Sequence, residues 1–362
     1  MKHTSLNLLH KELQAKMTEF AGYEMPLYYL SIIKEHLNVR NKVGIFDVSH
    51  MGDIIVSGAD AEDYLFYLFS TNIKNMKQGQ ARYTCFLNEK GLMIDDTIVT
   101  KLEDDKFLVV PNAANIDKIL NWMKKNTKKF DVEIINLSEK ISCIALQGPF
   151  SANLIKQLFD VDLKSFEVSY QTYDHESQTN EIFNKENTIL LSKTGYTGEK
   201  GYEIIISNSG AEKLWGKLME IGKEYEIMPC GLGSRDTLRM EKGYLLSGQD
   251  FKEDRTPVEA GISWTISWEH EFIGKNAILN KKPEEIFRGF IMQENGFPRH
   301  GCEIYNGNEK VGIITSGGIS PVLNCGIGLG YIKKENAETG NIVEIDIRGK
   351  RKKIKVSKPK MV

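Results

Sequence analysis

Two adjacent carboxylates lie in an otherwise apolar run of the sequence. Asp95 and Asp96 are part of Leu-Met-Ile-Asp-Asp-Thr-Ile-Val at residues 92–99, a composition that predicts a β-strand. Successive strand residues face opposite sides of a sheet, so the two side chains point in opposite directions. Because a buried carboxylate needs a partner, a proton or a chemical role, the pair requires an explanation. Taken alone, the run favours a hairpin arm with one Asp in solvent and the other bonded to the turn at residues 88–91.

A glycine-rich segment joins two further predicted strands. Residues 194–203, Thr-Gly-Tyr-Thr-Gly-Glu-Lys-Gly-Tyr-Glu, combine three glycines, which allow close backbone approach, with two tyrosines, which offer stacking surfaces. Glu203 opens the second strand, where its carboxylate could accept two parallel hydrogen bonds from a heterocycle with adjacent N–H donors, such as a pterin. A plain hairpin loop explains the glycines equally well.

The segment Gly-Leu-Gly-Ser-Arg-Asp at residues 231–236 resembles a nucleotide loop only superficially. Asp236 stands where a dinucleotide fingerprint needs glycine, so we discount nucleotide binding. Arg235, at a predicted helix start, could bind a substrate carboxylate or pair with Asp236 or Glu241. The residues themselves give no purpose to the polar, glycine-kinked segment 242–250 that follows.

Two residues before a predicted strand are ambiguous. His50 could act as an acid or base, but its position beside Ser49 at an element boundary is more typical of a capping residue. Met51 suits either an apolar pocket or plain core packing.

Length and composition exclude several classes of function. A chain of 362 residues predicts two or three domains, and a net charge of −2 gives no general attraction to nucleic acid. The five cysteines show no metal-binding spacing and favour a reducing compartment. The metalloprotease, serine-hydrolase and P-loop patterns are absent. Without a signal-like start or a run of membrane-spanning length, the sequence predicts a cytoplasmic protein away from membranes.

The pattern of elements changes along the chain. Strand and helix signals alternate up to a polar, proline-containing linker at residues 280–285. From Phe287 onward, short apolar runs separated by Gly and Asn turns predict a small β-barrel or sandwich. The basic tail at residues 348–360 is interpreted as a final strand with a solvated basic face, although a polyanion patch or an acidic protein partner would also suit it.

Taken together, these motifs resemble the T-protein family of the glycine cleavage system, the aminomethyltransferases. The resemblance covers most of the chain, because the motifs occur in the family's order. They are FAGYEMPLYY, VGIFDVSHMG, the IDD strand, VVPNAANIDK, ALQGP, KTGYTGEKGYE, GLGSRDTLRMEKGYLLSGQD, GISWTI and VGIITSGGISP.

The resemblance implies an α+β fold of three lobes around a central folate cavity. It implies a discontinuous first α+β domain at residues 1–50 and 139–275, a second inserted at 51–138, and a C-terminal antiparallel β-barrel at 284–362. The implied reaction takes the aminomethyl group from the lipoyl arm of the carrier H protein, releases ammonia and forms methylenetetrahydrofolate. Tetrahydrofolate is the co-substrate, folate N5 is the nucleophile, and no metal is expected.

The same resemblance assigns site residues. Asp96 is expected to be the catalytic residue, contacting folate near N10, stabilising positive charge at the N5–CH2–N10 unit and, in a second role, transferring a proton. Asp95 is expected to matter chiefly for structure. Folate-binding residues are expected to be Met51, Tyr83, Ile98, Asn112, Tyr196, Glu203, Arg235 and Trp264.

The sequence departs from the family's pattern in two places. Leu92 replaces a usual glycine, and the stretch 167–181 aligns poorly; Tyr170 is the candidate there for the tyrosine that contacts folate.

Proteins of this fold with other functions are the alternatives. A folate-binding class linked to iron–sulfur assembly carries a cysteine where this chain has Tyr244, and the flavin-linked oxidases carry a dinucleotide fingerprint that is absent here. Folate-dependent demethylases and a folate-binding protein without turnover stay open, since fold does not fix function.

Overall fold

The computed structural model describes residues 1–172 and 188–362. The chain divides into two compact units. The first unit comprises Met1–Leu68, Ile73–Thr84 and Asp96–Arg235, and the second comprises Phe69–Asn72, Cys85–Asp95 and Asp236–Val362. Asp95 therefore belongs to the second unit and Asp96 to the first.

The first unit begins with two short helices, a hairpin and a buried strand. In chain order these are α1 (Asn7–Glu12), β1 (Lys16–Phe20), β2 (Tyr23–Tyr28), α2 (Ile32–Asn41) and β3 (Gly44–Asp47). The Ser31 side chain caps α2 by accepting a hydrogen bond from the Lys34 main-chain N–H. All four residues of β3 are buried, because this strand has a neighbour on each side in its sheet.

A five-stranded sheet carries the pair of aspartates. Its region contains β4 (Ile54–Ser57), α3 (Ala61–Leu68), β5 (Gln80–Leu87), β6 (Met93–Glu103), β7 (Lys106–Pro111), a 3-10 turn (Ala113–Asn115), α4 (Ile116–Lys125) and β8 (Glu133–Asn136). The strand order is β5-β6-β7-β4-β8. Helix α4 buries Ile116, Ile119 and Met123, the helical spacing that the sequence predicts.

A six-stranded sheet forms the rest of the first unit. Its region contains β9 (Ile141–Gln147), α5 (Ser151–Phe159), β10 (Val168–Thr172), β11 (Thr188–Ser192), β12 (Gly201–Ser207), α6 (Asn208–Ile221), a 3-10 turn (Gly222–Tyr225), β13 (Met228–Pro229) and the start of α7 (Leu232–Lys242). The strand order is β10-β11-β12-β9-β3-β13. Ile144, Ile204 and Ile206 from one face share a core with Leu154 of α5 and Leu214 of α6. The opposite face is left for the polar residues described below.

The second unit contains a closed antiparallel barrel. Its elements after α7 are a 3-10 turn (Ser263–Thr265), α8 (Lys275–Ile278), β14 (Glu285–Met292), β15 (Glu303–Asn306), β16 (Glu309–Ser320), β17 (Cys325–Lys333), a 3-10 turn (Lys334–Asn336), β18 (Ile342–Ile347) and β19 (Lys350–Ser357). The strands close in the order β14-β17-β16-β15-β18-β19. Phe290, Ile304, Ile314 and Ile354 contribute to its core, which closes without edge strands.

The prediction of a C-terminal β-barrel is confirmed. The basic tail is the final strand β19, as predicted, with Ile354 and Val356 buried. Cross-strand pairing sets Lys353 opposite Glu344, so acidic residues of β18 partly balance its basic residues. Strand β6 also confirms the predicted Asp95–Asp96 strand.

Candidate functional site

Asp95 and Asp96 lie on opposite faces of β6, as strand periodicity predicts. Asp95 is 0% exposed, whereas Asp96 and Ile98, two residues further on the same face, are partly exposed. The preceding turn is closed by Asn88, whose side-chain oxygen accepts hydrogen bonds from two main-chain N–H groups of the turn at 2.9 and 3.1 Å. Asp96 is therefore the member of the pair that a ligand can reach.

The Asp96 carboxylate is oriented by two side chains from other parts of the first unit. The Tyr83 hydroxyl on β5 donates a hydrogen bond to Asp96 Oδ2 at 2.7 Å. Asn112, which directly follows β7, donates from Nδ2 to Asp96 Oδ1 at 2.8 Å and to the Asp96 main-chain oxygen at 3.0 Å. Both carboxylate oxygens are thus fixed before any ligand binds, which is the preorganisation that electrostatic catalysis requires. The structure brings together three of the predicted site residues here.

The turn that carries Met51 runs beside the segment that presents Asn112. The Gly52 main-chain N–H donates a hydrogen bond to the Pro111 oxygen at 2.9 Å. A Cβ atom at position 52 would lie 2.6 Å from Pro111 Cγ, so this close approach requires glycine. Met51 is consequently held near the end of β7 that leads into Asn112.

Glu203 projects from the sheet face opposite to the helix-packed core. Ile204 and Ile206 point into that core, so the alternation of β12 directs Glu203 to the other face. The Thr194 hydroxyl donates a hydrogen bond to Glu203 Oε2. Thr194 in turn lies 2.9 Å from the Ser192 hydroxyl. The carboxylate at the mouth of the glycine-rich segment therefore has a fixed orientation.

Arg235 and Tyr196 lie in the same part of the first unit as Glu203. The Arg235 guanidinium stacks over the Tyr196 ring, 4.8 Å from its centroid. Burial lowers the pKa of Arg235, and the nearby Glu203 carboxylate acts in the opposite direction. Three more predicted residues thus form a second group, which combines a cation, an anion and an aromatic surface.

Gln147 holds the glycine-rich segment in place. Its buried side chain donates to the main-chain oxygens of Thr194 and Tyr202 and accepts from the Thr197 hydroxyl at 2.8 Å. A Cβ atom at Gly195 would lie 2.1 Å from Gln147 Oε1, so the segment wraps around this amide as closely as glycine allows. The sequence predicted close backbone approach by these glycines, and Gln147 is one of the groups that they approach.

Three buried polar atoms at this site have no hydrogen-bond partner among the described residues: His50 Nδ1, Asp53 Oδ1 and Arg235 Nη1. Burial and, to a smaller extent, the Arg235 cation lower the pKa of His50 to about 4, against the opposing effect of Asp47. Burial, together with the nearby Glu203 carboxylate, raises the pKa of Asp53 to about 7. The site therefore offers a neutral imidazole, a carboxyl group near its titration midpoint and an arginine N–H to a polar ligand.

Sequence reasoning missed a buried network behind His50. His10 donates from Nε2 to Asp47 Oδ2 at 2.9 Å, and its Nδ1 lies 2.8 Å from the Tyr29 hydroxyl. The Ser49 main-chain N–H donates to Asp47 Oδ1 at 2.9 Å. Burial raises the pKa of Asp47, but its hydrogen bonds, led by that of His10, outweigh burial, and the net pKa is lowered. The only sequence signal was the polar Asp-Val-Ser-His motif itself.

Two other residues that were predicted to contact folate, Trp264 and Tyr170, belong to neither of the two groups described above. Trp264 belongs to the second unit, in the turn Ser263–Thr265, and is 69% exposed. Tyr170 lies on β10, and its buried hydroxyl has no hydrogen-bond partner among residues 1–172 and 188–362. Of the poorly aligned stretch 167–181, residues 173–181 lie outside the described residues.

The segment of unknown purpose at residues 242–250 belongs to a buried ion-pair network of the second unit. Arg239 donates to Asp250 Oδ2 at 2.8 Å and to the Ser316 hydroxyl at 2.8 Å, and both charged side chains are fully buried. Ser316 and Thr315 of β16 donate to Asp250 Oδ1 at 2.6 and 2.5 Å. The segment therefore attaches α7 to the barrel.

The described parts of the chain contain no group of three or more His, Cys, Asp or Glu side chains arranged to hold a metal ion. No helix in them is long and apolar enough to cross a membrane. All five cysteines are free thiols.

This combination of an α+β region, a C-terminal barrel and a buried polar site agrees with the family models that match the chain. The GCVT N-terminal domain matches residues 6–270, and the glycine cleavage T-protein C-terminal barrel domain matches residues 287–362. The chain therefore belongs to the glycine cleavage T-protein family.

Relatives of the chain in other bacteria are named aminomethyltransferase. An aminomethyltransferase of Halothermothrix orenii is 42% identical over 354 residues, 97% of each chain, and one of Bacteroides thetaiotaomicron is 42% identical over 366 residues, 99% of each chain. The solved structure of the glycine cleavage system aminomethyltransferase T from Bartonella henselae matches with a TM-score of 0.90 and 30% identity, covering 100% of this chain and 98% of that one. The predicted family and α+β fold class are confirmed.

Proposed function

We propose that the chain transfers the one-carbon unit of the aminomethyl-lipoyl group on the glycine cleavage H protein to tetrahydrofolate, with release of ammonia. Membership of the T-protein family along the chain supports an aminomethyltransferase. The observation that carries the assignment of the site is the Asp96 carboxylate, partly exposed and oriented by Tyr83 and Asn112.

Glu203, Tyr196 and Arg235 form the proposed pterin end of the site. A carboxylate can accept paired N–H donors from the heterocycle, and an aromatic ring can stack on it. The stacking of Arg235 on Tyr196 and the electrostatic effect of Glu203 on Arg235 support this assignment. Further folate contacts are proposed for Met51, Ile98 and Trp264.

Asp96 is proposed to act through its charge. Folate N5 supplies the nucleophile, so the chain has to position folate, exclude water and stabilise positive charge that develops as the one-carbon unit bridges N5 and N10. A carboxylate that is already oriented needs no rearrangement at that moment. Proton transfer by Asp96 is a second role that the same geometry permits.

Two broader assignments accompany this function. The three-domain division, with residues 1–50 and 139–275, 51–138 and 284–362 as its parts, stays a proposal based on the family resemblance. A reducing, cytoplasmic location is supported by five cysteines present as free thiols.

The test is folate-dependent ammonia release. Purified protein is supplied with tetrahydrofolate and with H protein loaded with the aminomethyl group, and ammonia is measured with and without folate. We expect release that depends on both partners, and no release with authentic H protein would overturn the assignment. Turnover with a methylated amine or sulfonium compound in place of H protein would instead support a demethylase.

A further inference from the structure

Asp53 is a buried carboxyl group that the family resemblance assigns to no role. It precedes β4 and is 2% exposed. Its main chain is fixed on both sides: its N–H donates to the Ser138 hydroxyl at 2.9 Å, and its oxygen accepts from the Leu137 N–H at 2.8 Å. Its Oδ1 atom, in contrast, is buried and has no hydrogen-bond partner among the described residues. A rigid backbone thus holds an unsatisfied carboxyl oxygen inside the first unit.

The position of Asp53 links the two groups of site residues. It follows Gly52, whose N–H is bonded to Pro111, the residue before Asn112. On its other side, the Glu203 carboxylate is near enough to act on the charge of Asp53. Asp53 is therefore joined through Gly52 to the segment that leads into Asn112, and it is coupled electrostatically to Glu203.

Besides burial, the Glu203 carboxylate raises the pKa of Asp53. Asp53 also interacts electrostatically with Cys143 of β9 and Tyr23 of β2, whose own pKa values are raised by burial, so both are neutral near pH 7. The Arg235 cation acts on Glu203, Cys143 and His50. A buried carboxyl group near a second carboxylate keeps its proton more readily, because its ionisation would add a second negative charge to the site.

We propose, on the basis of the folate-binding function above, that Asp53 is a second carboxyl group of the pterin site, protonated in the complex, which donates a hydrogen bond to the heterocycle while Glu203 accepts from it. Along the edge of a pterin, two adjacent donors, the 2-amino group and N3–H, are flanked by two acceptors, N1 and O4. One carboxylate matches the two donors and one neutral carboxylic acid matches a flanking acceptor, whereas two carboxylates would set a charge against an acceptor atom.

This assignment makes folate binding depend on pH. Folate selects the protonated form of Asp53, so binding takes up a proton wherever the free protein has lost it. With the pKa of Asp53 raised to about 7 by burial and by Glu203, affinity is expected to be nearly constant below that pH and to fall above it. From about pH 6 to about pH 8.5 the dissociation constant should rise about 30-fold.

The experiment measures tetrahydrofolate binding by calorimetry under anaerobic conditions across this pH range. Asp53→Asn supplies an N–H donor that does not titrate, so it should bind folate with a pH profile that is flat within about threefold. The control Asp105→Asn changes an exposed aspartate and should keep the wild-type profile. Titrations of the wild type in buffers of different ionisation enthalpy give a second readout, which does not depend on any variant folding. At about pH 8 they should show uptake of close to one proton per folate bound.

The outcomes separate this inference from the proposed function. Folate binding by the wild type with no proton uptake and a flat profile would overturn the role of Asp53 and leave the folate site intact. An Asp53→Asn profile as steep as that of the wild type would also overturn it, since another group would then be titrating. Failure of the wild type to bind folate at any pH would overturn the folate-binding function itself, and the role of Asp53 with it.

Discussion

At Asp96 the proposed chemistry depends on a negatively charged carboxylate whose orientation is fixed by hydrogen bonds. Tyr83 and Asn112 bond to different oxygens of the carboxylate, and each comes from its own segment of the first unit. Such fixed groups lower the barrier most where charge develops, because no reorganisation is needed during the reaction. The negative charge of Asp96, more than its shape, is what we expect the reaction to require.

Replacement of Asp96 by asparagine tests this expectation. Asp96→Asn keeps the size of the side chain and removes its charge, so kcat/KM for folate-dependent ammonia release should fall by about 10²- to 10³-fold, the scale of losing one preorganised electrostatic group. The thermal midpoint should change little, because Asp96 is partly exposed. Asp105→Asn, on the surface, is the matched control. Near-normal turnover of a folded Asp96→Asn protein would contradict the charge role.

The site residues differ in how visible they are in the sequence. Asp95 and Asp96 stood out because charge is unusual in an apolar strand. Strand alternation placed them on opposite faces, and the family resemblance selected Asp96 as the residue of the cavity. Asp53 carried no such signal, since an aspartate that precedes a strand usually faces solvent. Its burial arises from the packing of distant segments, such as residues 137 and 138, which no local pattern encodes.

Among the structural elements, the glycine-rich segment and Gln147 act as one unit. Gln147 ends β9, and its amide takes the hydrogen bonds that the segment 194–201 would otherwise leave unmade. The segment carries Tyr196 and leads directly into Glu203, so its conformation fixes two proposed folate contacts. A buried amide, which makes no contact with folate in the proposal, is therefore expected to affect folate affinity.

Gln147→Leu is the corresponding variant. It leaves the Thr197 hydroxyl and two main-chain oxygens without their partner, which should destabilise the protein by about 1–3 kcal/mol. Folate affinity, measured by calorimetry, should weaken as well because Tyr196 and Glu203 lose their support. Gln157→Leu, an exposed change on α5, should alter stability by less than about 0.5 kcal/mol and leave affinity unchanged. Unchanged affinity in Gln147→Leu would show that the segment holds its conformation without this amide.

Elements with strong periodicity were predictable, and those held by long-range bonds were not. The spacing of Ile116, Ile119 and Met123 predicted α4, and alternation predicted β12. The segment 242–250 gave no interpretation, because its conformation depends on Arg239 and on β16, which lies about 65 residues further along the chain. Local sequence cannot show which distant strand will satisfy Asp250.

At the scale of the whole molecule, the two units rely on different kinds of interior. The six-stranded sheet of the first unit packs an apolar face against its helices, whereas the second unit adds the fully buried Arg239–Asp250 pair beside its barrel. The apolar periodicity predicted α+β units followed by a small β-barrel or sandwich, and the family resemblance implied the barrel. The ion pair was not predictable, since both residues are of types that usually lie on the surface.

The buried Arg239–Asp250 pair is expected to contribute strongly to the stability of the second unit. Removal of one partner leaves the other charge buried, so Arg239→Met should cost about 3–5 kcal/mol and lower the thermal midpoint by roughly 10 °C. Arg351→Met removes a partly exposed arginine that lies 3.9 Å from Asp346 in the same unit, and should cost less than about 1 kcal/mol. The double variant Arg239→Met/Asp250→Asn should recover part of the loss, because no uncompensated charge remains. Thermal unfolding followed by circular dichroism distinguishes these cases. If Arg239→Met and Arg351→Met lowered the free energy of unfolding equally, burial of the Arg239–Asp250 pair would not determine its contribution to stability. The barrel would then not depend on this network.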